Sequence, residues 1–598
     1  MAAAAGETRG CGCHIVAVPF PGRGHVNAMM NLSRFLAARG AAVTFVVTEE
    51  WLGLIRSSST AAAEPAGIRI RTIPNVIPSE HGRAANHSGF LDAVATEMEA
   101  PFERLLDGLE GPPPAVLVAD AYVPWVVGVG NRRGVPVWSL FPMSAAFFYA
   151  YYHFDRLPAW LTDYEHAPDS GETIGNSDQR LGHYITGHAS SSIRLSDLEP
   201  LIHDKRKVKH ILAAISSVRN AQCLLFTTMY ELEASVIHSI RSALSCPVYP
   251  IGPCIPYMAL EDQHTMSNGE VASQGDYFTW LDSQPVNSVL YVSLGSFVSV
   301  SASQLEEIAL GLVASEVKFL WILREQSPRV QELFAGINNG MILPWCEQLK
   351  VLCHRSVGGF LTHCGMNSTL EGVFAGVPML ALPLFFDQPI DGRLIVEDWK
   401  VGLNFRDWAS KDGLIGREDI ARAVKKLMSS DETETKALRK RALELKEASR
   451  RAVHKGGSSY CNLSSLMETL KILILKTCLG SLHSPLTGGR AHGHINHMLN
   501  LCRGHQDSGS LWRWWVWKAA AVVADNSTVA CGRCRIADGV EAACGCVLLL
   551  PFACGHPLRR LLPFSEPRIR TPRHRSVATE FQMKNIIFHK TIFANHFC

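Results

Sequence analysis

The sequence predicts an α/β protein made of two Rossmann-like, doubly wound domains facing across a cleft, with an irregular C-terminal tail. Three observations carry this reading. Short apolar runs alternate with longer amphipathic stretches, as in parallel strands covered by helices. The alternation pauses at a proline-rich segment, VYPIGPCIPY (248–257), and then restarts. Composition breaks after Ile472: the formal charge of the 598 residues is +2, yet residues 473–598 alone carry +9 and the remainder −7.

Residues 1–12 show no period and are read as a disordered N-terminus. The first domain spans 13–247. CHIVAVPF (13–20) reads as a buried strand, PGRG as a turn, and HVNAMMNLSRFLAARG as a helix closing at Gly40. AAVTFVVT (41–48), AVLVAD (115–120) and VPVWSLF (135–141) supply further strands. Residues 248–257 form the linker, and the second domain spans 258–456. Its strands are SVLYVSLGS (288–296), KFLWILR (318–324), GGFLTH (358–363) and VPMLALPL (377–384), with helices from about Ser303 and after Gly365. Residues 457–472 read as a terminal helix. Ligands of such sheets bind beyond the carboxyl ends of the strands, so the loops after residues 20, 120, 296 and 363 flank the cleft.

Composition narrows the function. Apolar residues make up 47% and charged residues 19%, which suits packed cores and excludes a disordered chain. A balanced charge argues against a dedicated nucleic-acid binder. No apolar run reaches the roughly 18 residues of a membrane span. The opening MAAAAGETRGCGC lacks a basic leader followed by a long apolar region, and the 17 cysteines are an odd number. Both point to reduced thiols and a cytoplasmic protein. The tail holds LWRWWVWK and eight of the cysteines, but only one two-residue-spaced pair, Cys531 and Cys534, so zinc is disfavoured there. It is expected to lack packed structure and to be foreign to the rest of the chain.

The densest motif is the 44-residue block WCEQLKVLCHRSVGGFLTHCGMNSTLEGVFAGVPMLALPLFFDQ, from Trp345 to Gln388. A strand ending at Thr362–His363 feeds a turn at Gly365, and a helix starts near Asn367. The free N–H groups and positive dipole end of that helix suit a diphosphate. Taken singly, Trp345, His363, Glu371 and Asp387 have ordinary explanations as a packed ring, a strand-end histidine, a solvated helix residue and a helix cap. Their joint spacing does not.

This block, with PFPGRGHVN near the start, resembles the signature of the plant secondary-product UDP-glycosyltransferases over about residues 13–472. The resemblance implies the GT-B arrangement, with the sugar nucleotide in the second domain and the acceptor mostly in the first. It implies inverting transfer of a sugar, glucose by the final Gln, from a UDP-sugar to a hydroxyl of a small lipophilic plant metabolite. His25 matches the family's catalytic base and Asp120 its supporting acid. Trp345 would stack on uracil, the Cys346 backbone would pair with the base edge, and Gln348 and Glu371 would bind ribose hydroxyls. Ser296, His363, Asn367 and Ser368 would contact the phosphates, and Asp387 and Gln388 the sugar. Met366 stands where the family usually has Trp, offering its backbone N–H; a catalytically impaired UDP-sugar-binding paralogue is the alternative.

No D-x-D motif offers a metal bridge, so metal independence is expected. No cofactor is implied, because the UDP-sugar is a co-substrate; the partners are that donor and a small acceptor, with no nucleic acid and no membrane segment. A dinucleotide-binding reading of Gly22-Arg-Gly24-His25-Val26-Asn27 fails at its third glycine, where Asn27 stands.

Overall fold

The computed structural model describes residues 13–58, 64–162, 179–185, 192–202, 204–260, 276–295, 300–323, 328–334, 339–405, 414–482, 534–536 and 540–542. Seven parallel strands form the first sheet: β1 His14–Val18, β2 Ala42–Thr48, β3 Ile68–Ile73, β4 Val116–Asp120, β5 Val137–Phe141, β6 Cys223–Phe226 and β7 Val248–Pro250. Their order is β3-β2-β1-β4-β5-β6-β7. Six parallel strands form the second sheet: β8 Val289–Ser293, β9 Lys318–Ile322, β10 Gly340–Leu343, β11 Val357–Thr362, β12 Met379–Ala381 and β13 Gly402–Asn404. Their order is β10-β9-β8-β11-β12-β13.

Each order reverses once, between β1 and β4 in the first sheet and between β8 and β11 in the second. Strand order reversal opens a crevice at the carboxyl edge, because the flanking helices leave to opposite faces. The residues after β1 and β11 and at the end of β4 therefore stand at the two crevices, where the sequence had placed the chemistry.

Strands β1, β4, β5 and β8 are buried along their whole length, as parallel strands sandwiched by helices must be. Behind the first crevice Phe141 packs against Phe147, Phe148 and Phe226 at centroid distances of 5.2–6.3 Å. Burying each ring contributes about 2–3 kcal/mol.

Strands β6, β10 and β13 were not read from sequence, and three further differences have physical causes. IRIRTI of β3 escaped notice because it is an edge strand with Arg69 and Arg71 exposed. The segment read as a linker opens with β7, the opposite edge, where Pro250 can lie in a sheet without an N–H to donate inward. The last long helix runs Ser458–Leu482, past the expected end at Ile472. It joins the first domain through Asn462 Nδ2 to the Pro250 carbonyl at 2.6 Å and Ser459 Oγ to the Gly252 carbonyl.

Beyond that helix, Cys534–Ile536 and Val540–Ala542 pair as an antiparallel hairpin. Expectations for residues 1–12, LWRWWVWK and Cys531 lie outside the described residues. Among the described residues no helix is long and apolar enough to cross a membrane.

Candidate active site

The first crevice is built by a helix start. After β1 the chain turns through Pro21 and Gly22 into the helix Arg23–Ala37, whose buried face is Val26, Met29, Met30, Leu32 and Phe35. Gly22 makes no side-chain cap, so the first N–H groups stay open. His25 lies in that first turn. Its Nδ1 donates to Asp120 Oδ2 at 2.8 Å, and the Tyr122 N–H donates to Asp120 Oδ1 at 3.0 Å. The Asp120 side chain is fully buried, whereas that of His25 is 17% exposed. With Nδ1 committed to the carboxylate, Nε2 is the nitrogen left to accept a proton.

Aromatic rings enclose the imidazole. Phe20 lies 4.8 Å away and Tyr122 5.7 Å, edge-on. Phe90 packs on Phe20, while Phe386 of the second domain packs on Tyr122 and on Phe147. His87 closes the group against Phe385 and Phe386, and burial pushes its imidazole pKa down to about 3. The hollow beside His25 is therefore apolar and aromatic.

The second crevice faces the first. Helix Met366–Ala375 begins after Gly365, again with no side-chain cap, and ends at Gly376 in the left-handed region (φ +75°). Asn367 Nδ2 donates to the Gly24 carbonyl at 2.7 Å, so the two helix starts touch across the cleft.

His363 is cradled by two glycines. A Cβ on Gly295 or on Gly365 would lie 2.6 or 2.5 Å from its Nε2. Cys364 (φ +68°) and Phe386 (φ +59°) both adopt left-handed backbone, the kind of strain that clusters at binding sites.

Around the helix flank the expected nucleoside residues already form a network. Tyr291 OH donates to Gln348 Oε1 at 3.1 Å. The Gln348 amide in turn donates to Ser368 Oγ at 2.9 Å and to Glu371 Oε2 at 2.8 Å. Burial raises the Glu371 carboxyl to about 7, with the Gln348 amide working against the shift. Cys346 turns its thiol inward, 3.4 Å from Tyr291 OH, and burial pushes that thiol up to about 12. Trp345 by contrast is 48% exposed.

At the end of the block Asp387 is buried; burial raises its carboxyl, and the nearby His25 pulls it down. Gln388 accepts the Leu384 and Phe385 N–H groups on Oε1 at 2.9 and 2.8 Å, which leaves its amide N–H groups for a ligand. Met366 is buried at the helix start. Ser296 lies outside the described residues. His25, Asp120 and Asn367 are brought together through the Gly24 contact, and Gln348, Ser368 and Glu371 through the amide network.

Tyr291, Tyr122, His87 and Phe386 were not singled out from sequence. Tyr122 follows Asp120 by two residues and Phe386 directly precedes Asp387, but neither carries a signal of its own.

Residues 211–441 match the family described as UDP-glucoronosyl and UDP-glucosyl transferase, and residues 12–71 match the glycosyltransferase N-terminal domain. UDP-glycosyltransferase 87A2 of Arabidopsis thaliana is 45% identical over 459 residues, covering 76% of this chain and 96% of that protein. The chain belongs to the plant UDP-glycosyltransferases.

Solved relatives share the fold. Rice (O. sativa) Os79 in complex with UDP is 26% identical with a TM-score of 0.63, covering 76% of this chain and all of that one. Phytolacca americana UGT2, complexed with UDP-2-fluoro-glucose and pterostilbene, is 25% identical with a TM-score of 0.60, covering 77% and all. The two sheets are thus the two domains of a GT-B glycosyltransferase, an enzyme that transfers sugar from a UDP-sugar.

Proposed function

We propose that this UDP-glycosyltransferase moves glucose from UDP-glucose to a hydroxyl of a small lipophilic metabolite, with inversion at the sugar carbon. The observation that carries the reading is the 2.8 Å contact from His25 to buried Asp120, at a helix start that touches the opposite helix start at Asn367. His25 Nε2 takes the acceptor's proton as its oxygen attacks the anomeric carbon from the face opposite UDP. The bond from that carbon to the diphosphate breaks, and UDP leaves with the bonding pair. Asp120 orients the imidazole and stabilises the cation that forms, as a carboxylate does in a serine-hydrolase triad. A single in-line displacement inverts the centre.

The donor is read along the second crevice. Trp345 stacks on uracil, and the Cys346 backbone meets its edge. Gln348 and Glu371 take the ribose hydroxyls, since a carboxylate can accept from two vicinal hydroxyls together. The open N–H groups from Met366 onward, with His363, Asn367, Ser368 and Ser296, hold the diphosphate and take up its growing charge without a divalent ion. Asp387 and the Gln388 amide reach the sugar. Rings of Phe20, Phe90, Tyr122, Phe147 and Phe386 suit an apolar acceptor, and pterostilbene bound to the Phytolacca relative is of that kind.

The test is steady-state kinetics with a panel of phenols and terpenoid alcohols, reading UDP release. His25→Ala is expected to lower kcat by about 10²–10⁴-fold while UDP affinity changes little. Asp120→Asn is expected to show a large part of the same loss. Full activity in His25→Ala would refute the assignment.

A further inference from the structure

One buried acid beside Asp387 takes no part in the proposed donor binding or proton transfer. Asp391 lies one helical turn after Asp387, in the helix Gln388–Arg393, and is completely buried. Neither carboxyl oxygen meets a donor in hydrogen-bond geometry. The groups near enough to act on it are the Ser144 hydroxyl and the carboxyls of Asp387 and Glu233. Glu233 differs from it, because the Ala146 N–H donates to Glu233 Oε1 at 2.9 Å. Asp387 in turn faces His25 and the buried phenol of Tyr122, with Tyr151 and Asp120 behind that phenol.

A dry carboxylate with a single hydroxyl near it is far less stable than its neutral acid, so such a group keeps its proton. A protonated Asp391 has one O–H to give, and the anionic acceptor beside it is Asp387. We propose that Asp391 is a positioning residue held protonated beneath the sugar site, and that its O–H donates to Asp387. That contact keeps the Asp387 carboxylate ionised and aimed at the hydroxyls of the bound sugar. The idea rests on the reading of Asp387 as a sugar-binding residue.

Two touching buried acids do not both ionise, so they share one proton. The deeper acid keeps it because burial outweighs the one nearby hydroxyl, Ser144, while His25 favours the anion on the shallower one. Burial pushes both acids up, Asp391 much further than Asp387.

Kinetics of the full chain with UDP-glucose from about pH 5.5 to 8.5 tests the proposal. Asp391→Ala removes the donor, and the pH above which the UDP-glucose KM levels off is expected to rise by about one unit. The acceptor KM is expected to stay as it was. Asp391→Asn supplies a neutral N–H in the same place and is expected to restore the wild-type midpoint. A KM raised equally at every pH in both variants would mark a merely structural role and overturn the proposal.

Asp387→Asn is the control, expected to raise the UDP-glucose KM by about tenfold or more while inhibition by UDP is little changed. If it does not, the sugar-site reading fails rather than the proton. An infrared difference spectrum of wild type against Asp391→Asn at neutral pH needs no catalysis. It is expected to lose one protonated-carboxyl band, and no loss would overturn the proposal even if Asp391→Ala does not fold.

Discussion

Glu371 answers two opposing demands. Burial raises its carboxyl to about 7, yet the ribose-binding role proposed for it calls for the anion. Because the folded-state pKa is raised, its contribution to the stability of the empty enzyme is complete below the ordinary carboxylate range. That contribution is lost as pH rises through about 7. With Glu371 on the ribose, UDP binding is expected to change in the opposite sense, strengthening as the anion forms. Calorimetric titration is expected to show UDP affinity rising about tenfold from pH 6 to pH 8, and Glu371→Gln is expected to flatten that rise. Trp345, Gln348 and Glu371 were legible because their spacing is local to one block. Tyr291, which aligns Gln348 and covers the Cys346 thiol, was not. It reads as one more apolar-run residue of β8 until the sheet places β8 beside β11.

Two helix starts and the strand ends feeding them form the working parts of the cleft. Their apolar period and glycine turns made them readable, whereas exposed β3 and short β10 and β13 offered no such contrast with loops. The loop after β8 gives a direct test of how the parts are spaced. Gly295 has φ +82°, and a Cβ there would press within 2.6 Å of His363 Nε2. Gly295→Ala therefore combines backbone strain of about 1–2 kcal/mol with displacement of the imidazole. Gly365 has an ordinary φ of −61°, yet a Cβ there would reach the same atom at 2.5 Å. Both alanine variants are expected to weaken UDP binding by about tenfold or more, since a charge-assisted contact is lost. Only Gly295→Ala is expected to lower the melting temperature clearly. Paired fluorescence titrations and thermal melts check this.

The two domains are held by polar contacts as well as by rings. Arg393 Nε donates to Asp197 across the interface at 3.2–3.3 Å, with Asp197 1% and Arg393 8% exposed. Glu397 takes Arg393 Nη1 at 2.9 Å, and Trp399 Nε1 donates to the Leu232 carbonyl at 3.0 Å. Breaking a buried ion pair strands the remaining charge, which costs about 3–5 kcal/mol. Arg393→Met is expected to lower the urea midpoint accordingly, and adding Asp197→Asn to recover part of the loss. Equal midpoints for the single and double variants would show that the charge of Asp197 is not what is stranded.

The sequence by itself determined the local pieces: which runs become buried strands, where glycine turns open helix starts, and which residues follow each strand. Those features depend on hydrogen bonds and burial among residues a few positions apart, so their pattern is written in order along the chain. Only the tertiary structure decided that His25 meets Asp120, 95 residues on, and that Asn367 reaches Gly24 across 343. It also buried Glu371, Asp387 and Asp391, which pushes all three carboxyls up. A carboxyl's charge depends on how much water and how many donors surround it, and distant segments supply or exclude both.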